Sequence, residues 1–569
     1  MVRGGDDWEI ADAGLPTREM APPDGAIAAT YRIAVLGAGV AGGVCASRLS
    51  RLPNVATTIY DMGSRGPGGR ASCRPVDGKG GSFSPADQGG VSSLSASLHS
   101  PLVFDHGVQA FSVSPHNIAV QALVDEWCEA GHVQEWSGRF GALDAASGTL
   151  SDEPAADAPF GLLAGRPRYV GSPTMGHVVS GMLDRASAGS ASFSALIGCK
   201  ATKVHFSHEG ESTSGARWTV ESSDGAERHF DAVVVAGHSA SFAAGIANQL
   251  PPNHDAAAEE HAAILSAMRR VSYPDGTSPL YALMVAFDEP LGGRAPFDGA
   301  SVVGSSDLRW ISRESSKPRR ARADGRELWV ALSTEGFALR VADELQEGVP
   351  RAQGGVRPTE AQLQTVAQKL LGAMADVLKL DEMPPPAYLH AQRWQAGITR
   401  ESLNLDPPCA AWEEAGLIAC GDWAAASARV EEAARSGLAA ADAAQRVCEV
   451  ARHMRGELFS KTPPPGSERL AARAMSEWPE WKCDAFPASS SGRFQESRWW
   501  EARERAAEER CLVTAGRASL WPKGGGPPVE IGAGDWATFR KGFLCTWVVH
   551  EPIAKRYAYF DASGEELPP

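Results

Sequence analysis

Tyr31-Arg32-Ile33-Ala34-Val35-Leu36, running without a break into Gly37-Ala38-Gly39-Val40-Ala41-Gly42, decides the fold of this chain. The first six residues make a short apolar run of strand length, and small and apolar residues then continue at helical spacing through Leu49. A second strand-like run, Ala56-Thr57-Thr58-Ile59-Tyr60, ends at Asp61, so the segment reads as a βαβ unit. Its glycine spacing has a mechanism. Gly37 makes the tight turn, Gly39 lets backbone approach a pyrophosphate, and Gly42 lets helix and strand pack closely, while the helix N-terminus supplies positive potential. Asp61, at the end of the second strand, is placed to accept hydrogen bonds from ribose hydroxyls. A dinucleotide site is the expectation.

Outward from this unit, residues 1–30 read as a disordered leader, with six acidic residues against Arg3 and Arg18. Residues 77–103 collapse largely into Gly and Ser and read as a flexible insertion. A helix is predicted over Asn117–Ala130, and alternation marks strands at Ala201–Phe206 and Arg217–Glu221. Buried strands are expected at Ala232–Ala236 and Leu417–Cys420, and further strands at Leu280–Phe287 and Leu328–Leu332. Helices are predicted near Thr359–Leu378 and Ala428–Val450. Residues 451–473 read as a linker around the stiff run Lys461-Thr462-Pro463-Pro464-Pro465-Gly466. Residues 474–569 then carry short alternating strands, glycine turns and seven of the sixteen tryptophans, the pattern of an all-β module.

Composition narrows the function classes. The 569 residues are 43% apolar and 22% charged, enough for sizeable cores and unlike a disordered or fibrous chain. With 54 Lys plus Arg against 69 Asp plus Glu, the formal charge is -15, which argues against a nucleic-acid binder. No apolar run is long enough to cross a membrane. The ten cysteines are dispersed with no CxxC-type pair, so no metal ligand set is assigned and reduced thiols of a cytoplasmic protein are expected, organelle targeting left open.

Further pieces recur in order: Gly68-Gly69-Arg70, Asp105-His106-Gly107-Val108-Gln109-Ala110-Phe111, Arg168-Tyr169-Val170-Gly171, Phe230–Ala236, Trp310–Pro318, Gln392-Arg393-Trp394, Ala419-Cys420-Gly421-Asp422 and Arg429-Val430-Glu431. Together with the glycine turn they resemble the flavoprotein amine oxidases, and within them the renalase-like branch, over about residues 31–450. That resemblance implies an α/β chain: an FAD-binding Rossmann-like domain (about 31–76, 165–240 and 390–450) with an inserted α+β substrate domain (about 104–164 and 241–389). It implies non-covalent FAD held by Gly37, Gly39, Gly42, Asp61, Gly69, Arg70, Gln109, Gly421, Asp422, Val430 and Glu431. Arg70 would offset pyrophosphate charge, Asp422 would hold the ribityl chain, and the helix after Arg429 would aim its N–H groups at the flavin pyrimidine edge. Two positions depart from the family pattern. Glu432 stands where a glycine is usual and Arg435 where an apolar residue is usual; a carboxylate there opposes the negative charge of a reduced flavin.

The resemblance further implies oxidation of a small amine or a dihydronicotinamide isomer, an NAD(P)-related substrate, with O2 as acceptor. The cofactor carries the chemistry, so aromatic walls are the catalytic candidates: Trp310, Trp394 and Trp423, with His238 weaker. The basic run Lys317, Arg319, Arg320, Arg322 and Arg326 would attract a phosphorylated substrate, but reads more simply as a solvated loop.

In the last segment, Val529-Glu530-Ile531-Gly532-Ala533-Gly534-Asp535 and Cys545-Thr546-Trp547-Val548-Val549-His550-Glu551-Pro552 resemble the small cupin (jelly-roll) of the ureidoglycine-aminohydrolase type. That family's metal-binding HxH pair is missing, and Cys545 stands at the place of its later histidine, so a metal-free barrel is expected. Two alternatives stay open: an aminohydrolase centred on the barrel, and a flavin-bound scaffold with little turnover. A small-molecule substrate is expected; neither nucleic acid nor membrane is, and the oligomeric state is open.

Overall fold

The computed structural model describes residues 31–76, 101–152, 162–163, 165–207, 217–237, 240–250, 255–345, 349–350, 356–454, 459–461, 463, 467–483, 508–522, 529–540, 543, 545–561 and 564–567. The expected leader, residues 77–100 of the expected insertion, and His238 lie outside them.

The glycine-turn unit forms as read: strand Tyr31–Leu36, helix Val40–Leu49, strand Val55–Asp61. These strands sit in a six-stranded sheet ordered Ala410–Trp412, Leu417–Cys420, Ala232–Ala236, Tyr31–Leu36, Val55–Asp61, Phe193–Ile197. All its pairs are parallel except that of Ala410–Trp412. The chain leaves Tyr31–Leu36 toward Val55–Asp61 on one side and returns at Ala232–Ala236 on the other, which makes this strand's carboxyl end a topological switch point. Ile33, Val35, Val234 and Ile418 point into a core shared with the helices Val40–Leu49 and Val430–Met454. Ala34, Leu36, Val233, Val235 and Leu417 fill the opposite face. Both faces are covered, as the unalternated apolar runs require.

A seven-stranded sheet follows, ordered Pro386–Thr399, Thr277–Phe287, Glu327–Ser333, Leu308–Arg313, Gly299–Val303, Phe140–Asp144, Leu150–Ser151. Period two divides its strands. Leu280, Ala282, Met284 and Ala286 join the core of the parallel sheet, while Tyr281, Leu283, Val285 and Phe287 pack with the helices Glu335–Glu344 and Glu360–Leu378. Thr359 caps the longer helix in a capping box with Gln362, as its position at the head of the amphipathic run predicts. Pro386–Thr399 pairs along Thr277–Phe287 and so belongs to this sheet. After it, the chain rejoins the six-stranded sheet at Ala410–Trp412.

The C-terminal module is a six-stranded antiparallel sheet built on the long strands Glu508–Pro522 and Cys545–Phe560. Phe459–Ser460, inside the expected linker, pairs with Phe539 and Thr538, and helix Ser467–Glu477 follows. The module thus begins before residue 474: a two-residue strand beside a proline run carries no periodicity to read.

Candidate functional site

The three glycines of the turn divide into two kinds. A Cβ on Gly37, whose φ is +108°, would lie 2.3 Å from the Ala236 carbonyl oxygen, and one on Gly42 would lie 1.9 Å from the Gly37 oxygen. Both are glycine because protein backbone fills the space. Gly39 differs: its φ of −79° suits any residue, and a Cβ there meets no protein atom within 4 Å. The one glycine that the fold itself does not require is the one at which a ligand would press on backbone. Asp61 closes this turn, accepting the Ala38 N–H at 2.7 Å through Oδ2 and the Gly63 N–H at 2.7 Å through Oδ1.

Distant segments meet the turn. The Gly68 N–H donates to the Ala38 carbonyl at 2.7 Å, and a Cβ on Gly69 would sit 3.6 Å from the Gly39 Cα. Arg70 reaches across to the other end of the domain, its Nη2 donating to Asp422 Oδ1 at 2.6 Å. Asp422 is buried at the carboxyl end of Leu417–Cys420, two strands from Tyr31–Leu36, hence about 10 Å away. Gly421 is tied by its N–H to Ser436 in the helix Val430–Met454. That helix packs on the first one so closely that a Cβ on Gly437 would lie 2.3 Å from the Ala41 oxygen. Six more residues precede this contact in the later helix than in the first, so at about 1.5 Å each its N-terminus stands about 9 Å further out over the sheet edge. Glycine turn, Arg70–Asp422 pair and helix tip thus line up along one edge.

Of the remaining expected contacts, Val430 is buried at that helix tip. Glu431 is buried and its Oε1 accepts the Ser114 N–H at 3.0 Å, fastening a loop. Gln109 is fully enclosed: its amide nitrogen donates to the Asp105 and Gly107 carbonyls, and its oxygen accepts from Ser312 (3.1 Å) and Lys317 (3.3 Å). Both polar side-chain atoms of Gln109 therefore have protein partners, so the side chain braces this loop.

Within the basic run, Arg319 is exposed as a solvated loop requires, but Lys317 and Arg320 depart from that reading. Lys317 and Arg320 are buried, 0% and 6% exposed at the side chain, with Asp105 and Glu314 each at 0%. Lys317 Nζ lies 3.0 Å and Arg320 Nη2 2.7 Å from Asp105 Oδ2; Arg320 Nη1 bonds Glu314 Oε2 at 2.5 Å, and Lys317 pairs with Glu314 as well. Two cations and two carboxylates close a neutral quartet. Burial raises the Asp105 carboxyl, but Arg320 and Lys317 outweigh it and hold the group below the usual range; at Glu314 burial wins and pushes the carboxyl up. One partner acid, Glu314, is local, three residues before Lys317, but the other, Asp105, lies about two hundred residues away in sequence, out of reach of any local charge pattern.

The aromatic candidates separate as clearly. Trp310 and Trp423 are fully buried in the two cores that flank the parallel sheet, with Trp423 donating to the Gly237 carbonyl at 3.0 Å. Trp394 is half-buried on Pro386–Thr399, donates to the His106 carbonyl at 2.7 Å, stacks on the His106 ring at 5.1 Å, and lies against Gly107. Tyr388, His390, Gln392 and Trp394 share one face of that strand, and Arg74 donates to Gln392 at 3.0 Å. This wall was legible only as period two. His106, in the same motif as Gln109, is buried, and among the described residues its Nδ1 has no hydrogen-bond partner.

Burial first, then the Arg65 and Arg74 charges, push the His106 imidazole down from 6.5 to about 3. An unfolded chain takes up a proton here below pH 6.5 while the folded chain does not, so stability falls with pH across that window by about 1.4 kcal/mol per pH unit. We expect His106→Asn to flatten the pH 6.5 to 4 limb of a chemical-denaturation series; an unchanged slope would contradict the assignment.

In the C-terminal module the interior is filled by Cys511, Val513, Leu520, Ile531, Phe539, Cys545 and Trp547. Lys555 lies inside, paired with Glu509, with the rings of Trp481, Phe539, Trp547 and Tyr557 at 5.1–5.6 Å. Among the described residues no group of three or more His, Cys, Asp and Glu is placed to hold a metal, and no helix is long and apolar enough to cross a membrane. None of the ten cysteines is joined in a disulfide among the described residues.

A family profile described as an NAD(P)-binding Rossmann-like domain matches residues 35–127, and one described as an EutQ-like cupin domain matches residues 495–557. The chain is therefore an α/β protein with a Rossmann-like domain and a C-terminal cupin. No curated protein matches it in sequence. Among solved structures, it is similar to an oxidoreductase from Methanosarcina mazei at 13% identity, covering 72% of this chain and 99% of that one, with a TM-score of 0.41. A Klebsiella pneumoniae HpxO variant complexed with FAD matches at 14% identity over 74% of this chain and 81% of its own, TM-score 0.37. A DUF861-family protein from Thermotoga maritima is 26% identical over 18% of this chain and 97% of its own, TM-score 0.14.

Proposed function

We propose that this chain is an FAD-dependent oxidoreductase of renalase type that takes a hydride from a small amine or a dihydronicotinamide isomer, with O2 as the acceptor. The observation that carries the reading is the alignment of three features on one sheet edge: the side of Gly39 that no protein atom approaches, the Arg70–Asp422 pair, and the overhanging tip of Val430–Met454. Bound FAD would accept the hydride from the substrate carbon and pass both electrons, with protons, to O2 to give H2O2. The protein's part is holding and screening. The turn N–H groups and Arg70 would hold the pyrophosphate, Asp61 and Asp422 would accept ribose and ribityl hydroxyls, and the helix tip would favour negative charge beside it. Trp394 and His106 would wall the substrate in, with His106 neutral and so adding no charge near a cationic amine.

The cupin is read as a metal-free binding appendage, supported by an interior filled with apolar side chains and the Lys555–Glu509 pair. The test is anaerobic mixing of FAD-loaded protein with amines and with dihydronicotinamide isomers. Loss of the flavin's visible absorbance with one of them, restored by air with release of H2O2, is the expected result. Loaded protein that none of them bleaches would favour a flavin-bound scaffold instead.

A further inference from the structure

The two residues that depart from the family pattern are partners. Arg435 Nη2 lies 2.9 Å from Glu432 Oε2, one helical turn apart on the first turns of Val430–Met454. The same carboxylate oxygen accepts the Ala426 N–H at 3.2 Å, so it also fastens the loop that runs from Asp422 to the helix. Glu432 is mostly enclosed, 14% exposed, while the Arg435 side chain is 38% exposed with its Nε buried and, among the described residues, without a hydrogen-bond partner, so the pair is half-buried at the helix tip. A half-buried pair of this kind is screened far less than a surface one.

We propose that Glu432 and Arg435 are a matched pair of positioning residues whose cancelling charges set the electron affinity of the cofactor at this helix tip. The inference rests on the FAD reading above, since the tip matters only if the isoalloxazine lies beside it. Hydride transfer brings two electrons and one proton from the substrate, so reduction adds net negative charge to the ring system. A helix N-terminus favours that charge, and a lone carboxylate in its first turn cancels the benefit. Arg435 removes the opposition while leaving the carboxylate oxygen free to hold Ala426. The expected acid penalty at position 432 is therefore absent from the wild-type pair and appears only when the pair is broken. At an effective dielectric constant of about 20, typical near a protein surface, one uncompensated charge at the helix tip would change the oxidised-to-reduced ratio by on the order of tenfold.

The experiment is a dye-coupled redox titration of FAD-loaded wild type, Glu432→Gln, Arg435→Met and the double variant. Gln keeps an amide oxygen for the Ala426 N–H, so that variant alters charge alone. Arg435→Met is expected to leave the cofactor about tenfold less reduced at a given dye ratio, Glu432→Gln about tenfold more, and the double variant within about twofold of wild type. Glu432→Gln decides by itself should Arg435→Met fail to fold. Four loaded proteins with one shared titration curve would overturn the pairing while leaving the cofactor reading intact. Folded wild type that takes up no FAD would overturn both.

Discussion

Lys317→Met should cost about 3–5 kcal/mol of stability, because it leaves two fully enclosed carboxylates facing one guanidinium. In a domain of this size that corresponds to a fall in Tm of about 10 °C, read by differential scanning calorimetry. The quartet joins the Asp105–Gln109 loop to the end of strand Leu308–Arg313, and so fixes the seven-stranded sheet against the loop that clasps Arg70. Pairing Lys317→Met with Glu314→Gln restores neutrality and keeps the Asp105–Arg320 bond. The double variant should then be destabilised by about 1–3 kcal/mol less than the sum of the single ones. A Lys317→Met protein within about 1 kcal/mol of wild type would mean that the lysine is solvated after all.

Gly39→Val and Gly42→Ala separate cofactor binding from folding. The first places a Cβ where no protein atom comes within 4 Å and where backbone φ suits any residue, so the stability loss should be limited to that of a poorer helix N-cap, about 1 kcal/mol. A bound pyrophosphate would meet that side chain and lose one or two charge-assisted N–H contacts, a loss of about 10- to 100-fold in FAD affinity. Gly42→Ala forces a methyl to 1.9 Å from the Gly37 oxygen and should destabilise the chain with or without FAD, by about 1–3 kcal/mol. Fluorescence titration with FAD beside a thermal melt reads both. If Gly39→Val binds FAD as tightly as wild type, the turn is a folding device only.

What could be read in advance followed from local signals. The turn, both strands flanking it and the capped helix at Thr359 each carry their cause within a dozen residues. Arg70 and Asp422 were named from their motifs, but only the parallel register of Tyr31–Leu36, Ala232–Ala236 and Leu417–Cys420 explains why residues 352 apart form an ion pair. The buried quartet was misread because a charge run looks solvated unless its partner acids are known, and Asp105 lies far back in the chain. Glu432 and Arg435 were each noted as departures; their pairing follows from i, i+3 spacing on a helix, a signal present in the sequence. Tryptophan identity could not say which indole faces a ligand. Burial of Trp310 and Trp423 and half-exposure of Trp394 come from which sheet face each occupies, a tertiary property.

In the proposed function, one edge of the parallel sheet holds one FAD. The direct measurement is the amount of flavin released on heat denaturation of purified, FAD-equilibrated and desalted protein, with Gly39→Val alongside. About one FAD per chain is expected for wild type and a marked deficit for the variant. A folded wild-type protein that releases none, or a variant that retains as much as wild type, would contradict it.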